Sequence, residues 1–178
     1  ERARGTARPE ETAEEEILRQ DNFRRAQDHF SRGLEIDADE ADCNLGKGIC
    51  LHSRGQDREA LSFLARCVSL AEARGKPNPR GHYYFALALE LQRGFQEKAL
   101  EHYRKAVEQD ALQAFTPLYS HLVKVLLVYV PFEDPQFRWF LDNMLSYGGD
   151  DRDYWESVEA LAAKLAADSL EARRESGV

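Results

Sequence analysis

The sequence predicts an all-α fold built from stacked antiparallel helix pairs. Three observations predict it. A pattern of small and large residues recurs as Ala26-x-x-x-Phe30-x-x-Gly33, then Ala60-x-x-x-Leu64-x-x-Cys67, then Ala99-x-x-x-Tyr103-x-x-Ala106. Glycine stands five residues before the second and third of those alanines, at Gly55 and Gly94. Strand-like alternation is scarce, and Gly and Pro fall between apolar segments instead of within short ones.

In chain order, residues 1–9 hold Arg2, Arg4, Gly5, Arg8 and Pro9 without apolar periodicity, the composition of a flexible tail or linker. Thr12 opens a helical pattern, with Glu15 placed three residues on as in a capping box. The first two repeat alanines are 34 residues apart and the next two 39 apart, with Gly75-Lys-Pro-Asn-Pro79 in the extra length. Each unit is expected to be two helices joined by a tight turn, so Gly55 and Gly94 end first helices where a positive φ is needed. In the first copy Asp21 holds that place. Gly33, Ala60, Cys67, Ala99 and Ala106 are small because a neighbouring backbone approaches, and Phe30, Leu64 and Tyr103 fill the space left. One such unit cannot bury its apolar side alone, so units stack.

From Leu112 the repeat degenerates. Residues 114–130 read as a very apolar helix that stops before Pro131. Its β-branched tail, residues 123–130, could alone be a strand; its place after three helix pairs decides for helix. Asp134-Pro135 supplies an N-cap and a first-turn proline for a helix that Gly148-Gly149 ends. A last helix runs to about Ala172 with Tyr154, Val158, Leu161 and Leu165 in its apolar stripe. The expected organisation is a tail at 1–9, three units over 10–111, a divergent pair over 112–149, a capping helix over 150–173 and a flexible end at 174–178.

Gly48, Gly55, Ala60, Leu64 and Cys67, followed by Tyr84, Gly94, Ala99, Tyr103 and Ala106, resemble the tetratricopeptide repeat (TPR) family, with residues 81–111 the clearest copy. The resemblance implies a right-handed helical solenoid. Two departures stand out: Ala38 and Ala111 lie where a proline commonly closes each unit, and Asn44 and Tyr83 where a tryptophan is usual. It also implies a concave groove, lined by the first helix of each unit, in which a partner segment lies. Carried over by register, that groove holds Leu45, Ile49 and His52, then Tyr84, Phe85, Ala88 and Leu91, then Leu118 and Leu122. Leu45, Ile49, Tyr84 and Ala88 occupy the places where the co-chaperone branch clamps a carboxylate with lysine and asparagine, so such a clamp is not expected. An apolar groove with aromatic edges suits an amphipathic helix or an extended apolar peptide.

Composition narrows the partner. The chain has 178 residues, 24 Lys and Arg against 32 Asp and Glu, and a net charge of −8. Nucleic acid and anionic membrane surfaces are therefore poor partners. The longest apolar stretch, Leu118 to Phe132, is broken by His121 and Lys124 and falls short of the ~18–20 residues that span a bilayer. The chain opens on Glu1, which reads as a piece or processed form of something longer, and its first residues lack the apolar core of a signal peptide. Cys43, Cys50 and Cys67 make no disulfide framework and point to a reducing cytoplasm.

No reaction chemistry assembles from the motifs. Cys50, His52 and Cys67 are the nearest approach to a zinc set, but the two cysteines read better as small packing residues. Gly46-Lys-Gly48 lacks the phosphate-loop pattern, and the acidic pairs suit solvated helix starts. The expectation is a non-catalytic adaptor or scaffold with a protein or peptide partner, no metal and no cofactor. A small secretion-type chaperone and a recruiting segment of a larger enzyme are the alternatives.

Overall fold

The computed structural model describes residues 13–112, 115–130 and 134–146, with backbone alone at 13–19, 124, 127–129 and 145. The tail expected at 1–9, the glycine pair at 148–149, the capping helix expected at 150–173 and the end at 174–178 lie outside those residues. Among the described residues the chain is helical and carries no strand. The helices are α1 (Ala13–Ile36), α2 (Ala41–Ser53), α3 (Asp57–Ala73), α4 (Pro79–Glu90), α5 (Gln96–Gln109), α6 (Thr116–Tyr129) and α7 (Pro135–Ser146). They fall into two compact units, Glu1–Leu70 and Ala71–Val178.

In the first unit the turn at Gly55 forms where the glycine demands it. Gly55 has φ of +73°, and its amide donates to the His52 carbonyl while Gln56 donates back to Leu51. That pair of bonds closes the end of α2 in the left-handed glycine cap that L side chains adopt only at a cost. The first copy behaves differently. Asp21, in the equivalent place, lacks glycine's freedom, and α1 continues through it as one helix of 24 residues. Asp21 instead holds Arg24 and Arg25 on the next turn, each at 2.8 Å. Among the described residues the two-helix form expected of the first copy is therefore absent, and α1 packs on α2.

Small residues set how closely these helices cross. A Cβ placed on Gly48 would lie 2.5 Å from Leu64 Cγ, one on Gly46 would strike the Phe30 ring, and one on Gly33 the Cys43 sulfur. Lys47 donates to Ser31 across the same α1–α2 contact at 2.6 Å. Asn44, buried, donates to the carbonyls of Ala38 and Glu40. It thereby satisfies the turn between α1 and α2, and Arg66 of α3 adds a bond to the same Ala38 carbonyl.

In the second unit Asn78 caps α4 by accepting from the Gly81 amide at 2.8 Å, with Pro79 in the first turn. Gly94 turns the chain into α5 with φ of +81°. Ala99, Tyr103 and Ala106 are buried between α5 and its neighbours. The β-branched tail of α6 is helical. Leu118, Leu122, Val125 and Leu126 are buried at intervals of four, three and one, the spacing of one helix face, whereas a strand would turn Val125 away from the other three. Asp134 caps α7 by accepting from the Gln136 amide at 2.8 Å.

Two substitutions separate the two uses of glycine. Gly48→Val should overpack Leu64 and lower stability by about 1–3 kcal/mol. Gly55→Ala meets nothing within 4 Å, so its loss should come from φ alone, about 1 kcal/mol. Urea unfolding of both variants reads the difference, and an unaffected Gly48→Val would contradict the crossing described.

Candidate partner-binding surface

The residues expected to line a groove divide by burial. Leu45, Phe85, Ala88, Leu118 and Leu122 are buried, while Ile49, His52 and Tyr84 are half-buried and Leu91 is 62% exposed. His52 is also engaged: its Nδ1 lies 2.6 Å from Asp57 Oδ1, which ties the end of α2 to the start of α3. Phe85 packs edge-on against the His102 ring at 4.7 Å, with Lys98 Nζ 5.8 Å from its ring centroid.

On α4 the accessible face is rotated by one residue from the expected one. Arg80, Tyr84, Leu87 and Leu91 follow one another at intervals of four, three and four, so they share a face. Arg80 and Leu91 are exposed, and Tyr84 and Leu87 half-buried. Phe115, just before α6, adds an edge: its ring lies 6.5 Å from Tyr84, with the Arg80 guanidinium 5.8 Å from its centroid. Leu87, Arg80 and Phe115 were missed in the sequence because the family register put Phe85 and Ala88 outward. A periodicity count along α4 does not separate the two faces, since Leu87 is as apolar as Phe85 and Ala88.

Beneath this stripe the unit is tied by polar contacts. Glu90 at the end of α4 accepts from the Tyr103 hydroxyl of α5 at 2.6 Å and lies 2.9 Å from His121 Nε2 of α6. Tyr83 packs among Tyr103, His121 and Phe115. Burial, reinforced by Tyr84 and Glu90, pushes the Tyr83 hydroxyl up to about 12, so it stays protonated. Cys50 and Cys67 are buried, and burial likewise pushes the Cys50 thiol up, away from the thiolate that binds metal. Among the described residues no three His, Cys, Asp or Glu side chains are grouped to hold a metal ion. No described helix is long and apolar enough to cross a membrane.

No protein-family model matches the chain, and no curated protein matches it in sequence. Among solved structures it is similar to the crystal structure of MamA, a TPR-like protein. The similarity covers 93% of this chain and 97% of that one, with a TM-score of 0.59 and 15% sequence identity. The fold is an all-α helical repeat of the TPR type. At that identity the likeness is one of backbone architecture, and the side chains on α4 are this chain's own.

The polar tie and the stripe should separate on mutation. Glu90→Leu takes the acceptor from a buried tyrosine hydroxyl and should cost about 1–3 kcal/mol. Leu91→Ser, on an exposed side chain, should stay within about 0.5 kcal/mol of the parent. Thermal denaturation of the two variants checks both, and equal losses would mean that Leu91 is structural.

Proposed function

We propose that the chain is a non-catalytic protein-interaction module of the adaptor or scaffold kind. Its partner contributes an apolar or amphipathic segment that lies along the α4 stripe. The observation that carries this reading is the alignment of Tyr84, Leu87 and Leu91 on one face, incompletely buried, beside Phe115. Three apolar side chains at intervals of three and four residues match the i, i+3, i+4, i+7 anchors of a helix laid along a helix. The polar tie through Glu90 holds that face in place at little entropic cost to binding, because α4, α5 and α6 are already fastened to one another. Arg80, exposed at one end of the stripe, offers a positive charge that would orient the segment.

Of the groove expected from the family register, this reading keeps Tyr84 and Leu91 and adds Leu87. The buried residues Phe85, Ala88, Leu118 and Leu122 support the face from behind. The fold likeness to a TPR-like protein supports a binding role in general terms and leaves the kind of segment to experiment.

A photo-crosslinking side chain installed at Leu87 should capture a discrete partner from a lysate of the source cells. The same group at Glu101, exposed on α5, should not. Tyr84→Ala combined with Leu91→Ser should weaken binding of the captured protein by roughly 1–3 kcal/mol while leaving the fold intact. Identical products from both crosslinking positions would defeat the assignment of the surface.

A further inference from the structure

Two histidines of the second unit face each other inside the protein. His82 of α4 and His102 of α5 are both buried, their ring planes are 25° apart with centroids 5.2 Å apart, and their Nδ1 atoms meet edge to edge at 2.9 Å. A contact that short between two ring nitrogens requires one proton between them: one Nδ1 donates and the other accepts. The surrounding bonds decide which. The Asn78 amide donates to Gln109 Oε1 at 2.7 Å, which fixes the orientation of that side-chain amide. Gln109 Nε2 therefore faces His82 Nε2, 3.1 Å away, and donates to it. His82 must then carry its proton on Nδ1 and give it to His102 Nδ1, leaving His102 protonated on Nε2. One backbone amide at the entrance to α4 thus sets the tautomers of both buried rings.

This chain of bonds has no place for a further proton. On His102 it would set two N–H groups against each other at the Nδ1 contact. On His82 it would fall on Nε2 and oppose the Gln109 amide; turning that amide over would leave the Asn78 N–H facing a second donor. We propose that the His82–His102 pair is an acid-sensitive latch, closed by the single shared proton and opened by a second, which frees α4 from α5.

The charged groups around the pair are mixed in sign. Glu72, at the end of α3, lies 3.9 Å from His82 Nε2 and favours a proton there, as does Glu101 of α5. Lys105, bonded to Glu72 at 3.1 Å and to Glu101 at 3.4 Å, opposes it. Lys98 opposes a charge on His102. Burial is the largest influence on both rings, and it lowers His82 and takes His102 from 6.5 to about 4, with His82 adding to the second shift. An imidazole held neutral in the folded state takes up its proton on opening. The stability it contributes is therefore complete above about pH 6.5 and is lost as the pH falls toward 4. Because α4 carries the stripe of Tyr84, Leu87 and Leu91, opening would also release a bound segment. That consequence rests on the proposed function, whereas the latch itself can be tested without any partner.

Hydrogen exchange of the intact chain between pH 7 and 4.5, corrected for the intrinsic pH dependence of exchange, reads the latch directly. The opening constant of α4 and α5 amides should rise about tenfold per pH unit for each proton taken up. Gln109→Glu supplies an acceptor for a proton on His82 Nε2 while keeping an oxygen for the Asn78 amide. It should remove one proton from that slope, a drop of about tenfold per pH unit. Nitrogen-15 spectra of the imidazoles at pH 7.5 should show His82 protonated at Nδ1 and His102 at Nε2. Equal protection at pH 7 and pH 5, an unchanged slope in Gln109→Glu, or both rings titrating near 6.5 would each overturn the latch.

Discussion

The close approach of helix backbones is the constraint on which the rest of this structure depends. An isolated helix pair buries too little apolar surface to fold alone, so each helix must also press against the next. Gly48 lets Leu64 reach the backbone of α2, and Gly46 and Gly33 admit Phe30 and Cys43 at the α1–α2 crossing. In the second unit Ala99 and Ala106 are buried along α5. Once these positions are small, the large side chains have little freedom left. Leu64 and Tyr103 fill the space between the crossings and are almost wholly buried. The glycine turns serve the same end, because a short reversal keeps paired helices side by side.

α4 concentrates the functional possibilities because it presents different chemistry on different faces. Tyr83, Phe85, Ala86, Ala88 and Leu89 enter the core, and Tyr84, Leu87 and Leu91 remain partly accessible. His82 points into a polar contact with α5, and Glu90 binds groups on both α5 and α6. Apolar burial gives α4 its place without direction. The hydrogen bonds are directional, and each leaves a donor or acceptor stranded if the helix turns about its axis. The accessible stripe is therefore held at one rotation of the helix, which a binding face requires.

Much of the architecture was legible in the sequence, for identifiable reasons. Ala60, Leu64 and Cys67 recur as Ala99, Tyr103 and Ala106 because the same crossing geometry is built twice, and repetition shows through even when side chains differ. Gly55 and Gly94 mark turns because few other residues reach a positive φ without strain. Asp134-Pro135 marks the start of α7 because a side-chain acceptor and a missing amide both suit a first turn. Asp21 carried the opposite message. Without glycine a similar repeat position stays helical, and α1 passes through it unbroken.

The sequence by itself determined that the chain is helical, where several of its turns fall, and which residues must be small. These are local properties, set by backbone sterics and by a recurring spacing. Tertiary structure alone decided which face of α4 stays accessible: of the expected residues it buries Phe85 and Ala88, leaves Tyr84 and Leu91 accessible and brings Leu87 beside them. It also decided that His82 and His102, twenty residues apart, share a proton. Both outcomes depend on how side chains from different helices meet, and the α4 sequence, in which Leu87 is as apolar as Phe85 and Ala88, does not separate the two faces.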